Sequence, residues 1–256
     1  MKINDALKIF EEYAPIKYSR AFVEACDGYD NVGVMAGVEE DITGILFSLD
    51  LTFKAVEKAV ENGCNLIFTH HPAIYAPLKN IDENNPLFYA IQNKIGVISF
   101  HLNLDVAKRG IDYYMAKGLG ALNSEILVKL DDEIGYGRLS NIKTATFREI
   151  VERYKTNFSS SRVLSYGCLD DKITKIASFC GQGISEEYIN LSKDADLIVS
   201  ADIPHHYLLK LTSLNKKILN VTHYSCEFYG FKNVYENLKE SFNNVKIILN
   251  EEQVYL

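Results

Sequence analysis

The residues that could do chemistry in this chain are its histidines and the acids spaced after them. There are six histidines in 256 residues: His70, His71, His101, His205, His206 and His223. Each follows or ends a short apolar run, as in "NLIFTHHP", "ISFHLNLD", "LIVSADIPHH" and "NVTHYSCE". Such runs read as buried strands, and in an open parallel sheet the carboxyl ends of the strands are where ligands bind. Neutral imidazole is the commonest metal ligand in proteins. His101–Asp105 and His223–Glu227 share one spacing, a histidine followed four residues later by a carboxylate. Asp105 and Glu227 are therefore the candidates to bridge two cations and offset their charge, which lie about 3.5–4 Å apart in two-metal sites.

Successive residues of an extended strand point to opposite sides. His70 and His71 are thus expected either to serve two neighbouring ions, or to divide the work of binding and orienting. Nitrogen and oxygen donors without thiolate suit Zn, Fe, Mn, Co or Ni. By position alone Asp105 could instead be a helix N-cap and Glu227 a solvated first-turn residue. His205 and His206 follow Pro204 at a helix start and read as surface or supporting residues. Asp202 stands where the second copy of the strand-and-histidine pattern places His70, and is expected to hydrogen-bond a ligand histidine. Cys226 reads as a packed small side chain. "CGQGISEE" (180–187) reads either as a Gly turn or as a backbone cradle for phosphate, without a full nucleotide fingerprint.

The elements that must position these groups alternate. Strands are expected over 42–50, 65–71 and 95–101, with helices over 51–63, 85–94 and roughly 110–118 between them. A helix is expected over 146–158. The alternation then returns with strands ending near 202 and 223, a helix from Cys226 and a last strand at 245–250. Between Gly120 and Asn141 the chain carries only strand-like and turn-like pieces. "NGCNLIFTHHP" parallels "KDADLIVSADIPHH", and "KIGVISFHLNLD" parallels "KKILNVTHYSCE". An internal repeat decides architecture. The expected fold is α/β, two related halves with mixed, largely parallel sheets facing a shared metal cleft. The first domain is expected to take residues 1–125 plus 228–256 and the second 126–227.

A net charge of −7 argues against a general nucleic-acid binder. Five scattered cysteines with no CxxC argue for a reducing compartment, and no apolar run approaches the ~20 residues of a membrane span. A cytoplasmic protein is expected.

Taken in order, "YDNVGV", "FTHHP", "FHLNLD", "CGQGIS" and "THYSCE" resemble the motifs of the Nif-three-like family, often catalogued as GTP cyclohydrolase I type 2 homologues. The resemblance runs nearly end to end. It implies a homohexamer, a trimer of dimers with a toroidal shape, and a dinuclear metal centre. The metal ligands it implies are His70, His71, Asp105, His223 and Glu227, with His101 close to the metals as the catalytic helper. The function expected is a metal-dependent hydrolase of a small nucleotide-like substrate that uses two divalent cations. The alternative is a non-catalytic metal-binding hexameric scaffold or partner-binding protein.

Overall fold

The computed structural model describes residues 1–26 and 28–251. The chain packs as two compact units, Met1–Ala107 with Lys232–Leu256, and Lys108–Phe231. Each is a mixed α/β unit around its own sheet.

The first unit begins with helices α1 (Ile3–Tyr13) and α2 (Ile16–Cys26) and strand β1 (Gly33–Ala36). Three strand–helix repeats follow: β2 (Gly44–Ser48), α3 (Phe53–Glu61), β3 (Leu66–Thr69), α4 (Pro86–Gln92), β4 (Gly96–Ser99) and α5 (Leu102–Val106). Strands β2, β3 and β4 are parallel neighbours in register, while β1 pairs antiparallel with β4 at the edge. Their apolar runs are continuous rather than alternating because both faces are covered. On one face Phe10 of α1 stacks on Phe68 with ring centroids 4.0 Å apart, and Phe47 and Phe100 complete the aromatic cluster. On the other face Leu46, Ile67 and Val97 pack with Val56, Ala59, Leu87 and Ala90 from α3 and α4. Thr52 caps α3 by accepting from the N–H of Ala55 at 3.0 Å.

The second unit holds α6 (Ile111–Leu119), β5 (Ala121–Lys129), β6 (Gly135–Thr146), α7 (Phe147–Asn157), β7 (Val163–Tyr166), β8 (Lys172–Ser178), α8 (Glu186–Leu191), β9 (Leu197–Ala201), α9 (His205–Ser213) and β10 (Lys217–Val221). Helix α10 (His223–Leu238) follows, and β11 (Lys246–Leu249) joins the first sheet beside β2. The ambiguous stretch after Gly120 is a long antiparallel hairpin of β5 and β6. Most of β5 is exposed, so it lacks the apolar alternation that would reveal a strand.

The two sheets repeat one arrangement. The first has the order β1-β4-β3-β2-β11, and the second contains β7-β10-β9-β8 followed by β6 and β5. In both, three parallel strands stand side by side and an antiparallel strand borders the last of them in sequence. The sequence repeats thus map β3 onto β9 and β4 onto β10. Among the described residues, no helix is long and apolar enough to cross a membrane.

Candidate metal centre

In the first unit the carboxyl ends of β2, β3 and β4 deliver Asp50, the His70–His71 pair and His101 side by side. The extended chain stops at Thr69. The N–H groups of His70 and His71 both donate to the Leu49 carbonyl, at 3.2 and 3.0 Å. This bend overrides the alternation expected of an extended strand and brings the two rings together, with centroids 4.8 Å apart. The His101 ring lies 5.2 Å from His70 and 5.8 Å from His71. One donor atom from each of the three histidines lies within 4.8 Å of the other two.

Each imidazole is held through Nδ1. His70 Nδ1 lies 3.0 Å from the Phe100 carbonyl, His71 Nδ1 2.7 Å from Asp50 Oδ1, and His101 Nδ1 2.9 Å from Asp30 Oδ1. An oxygen acceptor at Nδ1 places the ring proton there and turns the Nε2 lone pair outward, the arrangement found behind metal-binding histidines. His70 Nε2 is 3.6 Å from Asp105 Oδ1, and both side chains are buried. Asp105 lies inside α5, one turn after His101, so it is not an N-cap. Its amide donates to the His101 carbonyl at 3.1 Å.

Asp30 is a heavily engaged carboxylate of this group. Besides His101 it accepts from Ser19 Oγ at 2.7 Å and from the N–H groups of Asn31 and Leu102 at 2.9 and 3.3 Å. Burial pushes its carboxyl up, but the His101 ring, the Ser19 hydroxyl and the Asn31 amide together hold it below the usual carboxylate range. Sequence reading had Asp30 within the "YDNVGV" motif without a role of its own, and passed over Asp50. Asp50 was findable, because it follows β2 as His70 and His71 follow β3.

In the second unit the corresponding strand ends carry Gly181 after β8, Asp202 after β9 and His223 after β10. The last strand stops at Val221 and α10 starts at His223, three residues earlier than the sequence suggests. His223 and Glu227 are therefore one helical turn apart on a single face. His223 Nε2 lies 3.0 Å from Glu227 Oε1, and its Nδ1 lies 2.7 Å from Asp202 Oδ2, the partner role expected of Asp202. A neutral imidazole has one proton for these two carboxylates, so the arrangement calls for a cation, either a second proton or a metal. Glu227 is buried and not a solvated first-turn residue.

Gly181 makes room for this pair. Its φ is +59°, and a Cβ there would stand 2.6 Å from Glu227 Oε1 and 3.4 Å from the His223 ring. Its N–H donates to Cys226 Sγ at 3.3 Å, while Gly183 N–H donates to Ser200 Oγ at 3.2 Å. Those amides serve protein partners, which favours turn chemistry over a phosphate cradle for "CGQGIS". Cys226 is buried and packed, as expected. His205 and His206 are exposed at the start of α9 and join neither group.

Behind Gly181 lies a buried ion pair. Arg138 Nε donates to Asp112 Oδ2 at 3.0 Å, and the Cys180 N–H points at Asp112 Oδ1 at 3.4 Å. Burial raises the Asp112 carboxyl to about 6 against the opposing pull of Arg138. Tyr136 hydroxyl donates to the Cys180 carbonyl. The donor sets of both units are nitrogen and oxygen in preoriented rings and carboxylates, and they fit a divalent first-row cation.

Comparison with known proteins follows the same residues end to end. Residues 1–253 match the family Duf34/NIF3 (NGG1p interacting factor 3). A Clostridium perfringens protein named GTP cyclohydrolase 1 type 2 homolog is 32% identical over 263 residues, covering 98% of this chain and 97% of its own. The crystal structure of Staphylococcus aureus hypothetical protein SA1388 superposes with a TM-score of 0.86 at 25% identity, covering 100% of this chain and 99% of that one. Reduced HcgD from Methanocaldococcus jannaschii gives a TM-score of 0.82 at 27% identity, with 98% of both chains covered.

Proposed function

The chain belongs to the Duf34/NIF3 family, and from that premise we propose that it is a metal-dependent hydrolase holding two divalent cations and acting on a small nucleotide-like substrate. His70, His71 and Asp105 of the first unit and His223 and Glu227 of the second are the ligands of this proposal. The observation that carries it is the common treatment of four imidazoles: His70, His71, His101 and His223 each have Nδ1 on an oxygen acceptor. A histidine kept for packing needs no such fixed tautomer, whereas a ligand histidine does.

Bound cations of this class supply Lewis acidity, polarising a substrate carbonyl or phosphoryl oxygen and acidifying water at neutral pH. The chain's own groups do the rest. Asp50, Asp30 and Asp202 hold three of the rings in one tautomer and orientation. Asp30 holds the His101 ring through Nδ1, which leaves Nε2 as the atom positioned to accept and return a proton during turnover. Relatives named GTP cyclohydrolase 1 type 2 homolog make GTP the first compound to screen. The proposed assembly is a homohexamer, read out by analytical ultracentrifugation. Five scattered cysteines with no CxxC support a reducing, cytoplasmic setting.

The test is elemental analysis of anaerobically purified protein, then a hydrolase screen with the same ion restored. Two cations per chain are expected, with loss in both Asp105→Ala and Glu227→Gln. Full stoichiometry in both variants would sink the ligand assignment. Stoichiometric metal without turnover across the panel selects the scaffold reading instead.

A further inference from the structure

Strands β2, β3 and β4 each end on a hydroxyl: Ser48, Thr69 and Ser99. The three are in register, Ser48 with Thr69 and Thr69 with Ser99, and all are buried. The residues before them in these strands are Ile, Leu, Phe, Val and Gly. A row of buried hydroxyls across an apolar sheet is unfavourable unless each is hydrogen-bonded.

Their bonds lead to one another, to the residues just past β2 and β3, and to Asn250. Ser48 Oγ donates to the Asp50 carbonyl at 2.7 Å, and Asn250 Nδ2 donates to Ser48 Oγ at 3.1 Å. Thr69 Oγ1 donates to the His71 carbonyl at 2.9 Å and lies 2.7 Å from Ser99 Oγ. The Ala73 N–H donates to Ser99 Oγ at 3.1 Å. A hydroxyl has one proton to give. Thr69 gives its proton to His71, so Ser99 must donate to Thr69. The direction is then fixed: Ala73 N–H to Ser99, Ser99 to Thr69, Thr69 to the His71 carbonyl.

This relay closes the corner His71–Pro72–Ala73 from below. Pro72 has no N–H with which to stabilise that corner itself. His71 is then held at its amide by Leu49, at its carbonyl by Thr69 and at its ring by Asp50, whose own carbonyl is held by Ser48.

We propose that the Ser99–Thr69 hydroxyl relay is a positioning device for His71, fixing the peptide from which its imidazole joins His70 and His101. The proposal rests on the metal-binding reading for its consequence, though not for its geometry. Thr69 is a positioning residue, since it touches the ligand's backbone and not the metal or substrate.

Thr69→Val removes the hydroxyl at nearly constant shape, and Thr69→Ser keeps it. Ile67→Val, a core trim in the same strand, is the control for general destabilisation. Zinc affinity is measured by competition with a chromophoric chelator, and the His71 ring Nδ1–H is followed by NMR in metal-free protein. Thr69→Val is expected to weaken zinc binding about tenfold or more, the scale seen when support behind a ligand histidine is lost. Thr69→Ser is expected to restore most of it, and Ile67→Val to leave affinity unchanged even at an equal drop in Tm. Wild-type affinity in Thr69→Val, or an equal loss in Ile67→Val, overturns the proposal. If wild-type protein binds no zinc, the metal reading fails, and the relay is judged on the NMR signal alone. An unchanged His71 Nδ1–H in Thr69→Val then refutes the relay.

Discussion

His101 Nδ1 lies 2.9 Å from Oδ1 of Asp30, a residue 71 positions earlier in the chain. The carboxylate is itself tied to Ser19, Asn31 and Leu102, so the imidazole is braced against a fixed acceptor. Asp30→Ala is expected to lower metal affinity about 10–100-fold, the range for losing the partner behind a metal-site imidazole. Asp30→Asn keeps an acceptor without the charge and should fall between. Chelator competition measures both, and equal affinity in wild type and Asp30→Ala would show that the brace is irrelevant.

His70 and His205 give opposite expectations although both follow a predicted strand. His70 is buried within the cluster, while His205 and His206 are exposed on α9. His70→Ala should lose bound metal by elemental analysis. The double variant His205→Ala/His206→Ala should keep the wild-type content, and a loss there would mean that the exposed pair is a ligand set.

Gly181 is expected to tolerate no side chain. Its positive φ disfavours other residues, and the added methyl of Gly181→Ala would meet the Glu227 carboxylate at 2.6 Å. The strained conformation alone costs on the order of 1–3 kcal/mol. A lower Tm together with reduced metal content is the expected result. Wild-type Tm would show that the turn relaxes freely.

Asp112 makes stability pH-dependent in an unusual sense. Its folded carboxyl is raised to about 6 from 3.8, first by burial and despite Arg138. Between these values the folded state binds more protons than the unfolded one, so this group's contribution is present below about pH 4 and is lost as pH rises towards 6. Asp112→Asn cannot titrate and leaves Arg138 without its anion at every pH. The Tm advantage of wild type over Asp112→Asn should therefore narrow from pH 4 to pH 6.5. A gap that widens over that range would reverse the assignment.

Much of the architecture was legible in one dimension. The apolar runs at β2, β3, β4 and β9 are continuous because they are buried on both faces, and that pattern survives in sequence. The matched spacings around His101 and His223 announced the repeat, and the strand order now mirrors it. The β5–β6 hairpin was illegible because its first strand is mostly exposed and carries no apolar period. The start of α10 was misplaced because the β-branched Thr222 extends the strand pattern, whereas its Oγ1 accepts from the Ser225 N–H at 3.3 Å at the head of the helix.

The amino-acid sequence by itself determined which residue types stand at the strand exits, since local periodicity and turn chemistry are written in neighbours. Only the tertiary structure decided that the chain bends at Thr69 so that His70 and His71 lie together. It alone paired Asp30 with His101 and Asp50 with His71. A hydrogen bond between residues far apart in sequence has no local signature, because its energy depends on distance and angle, which exist only once the sheet has formed.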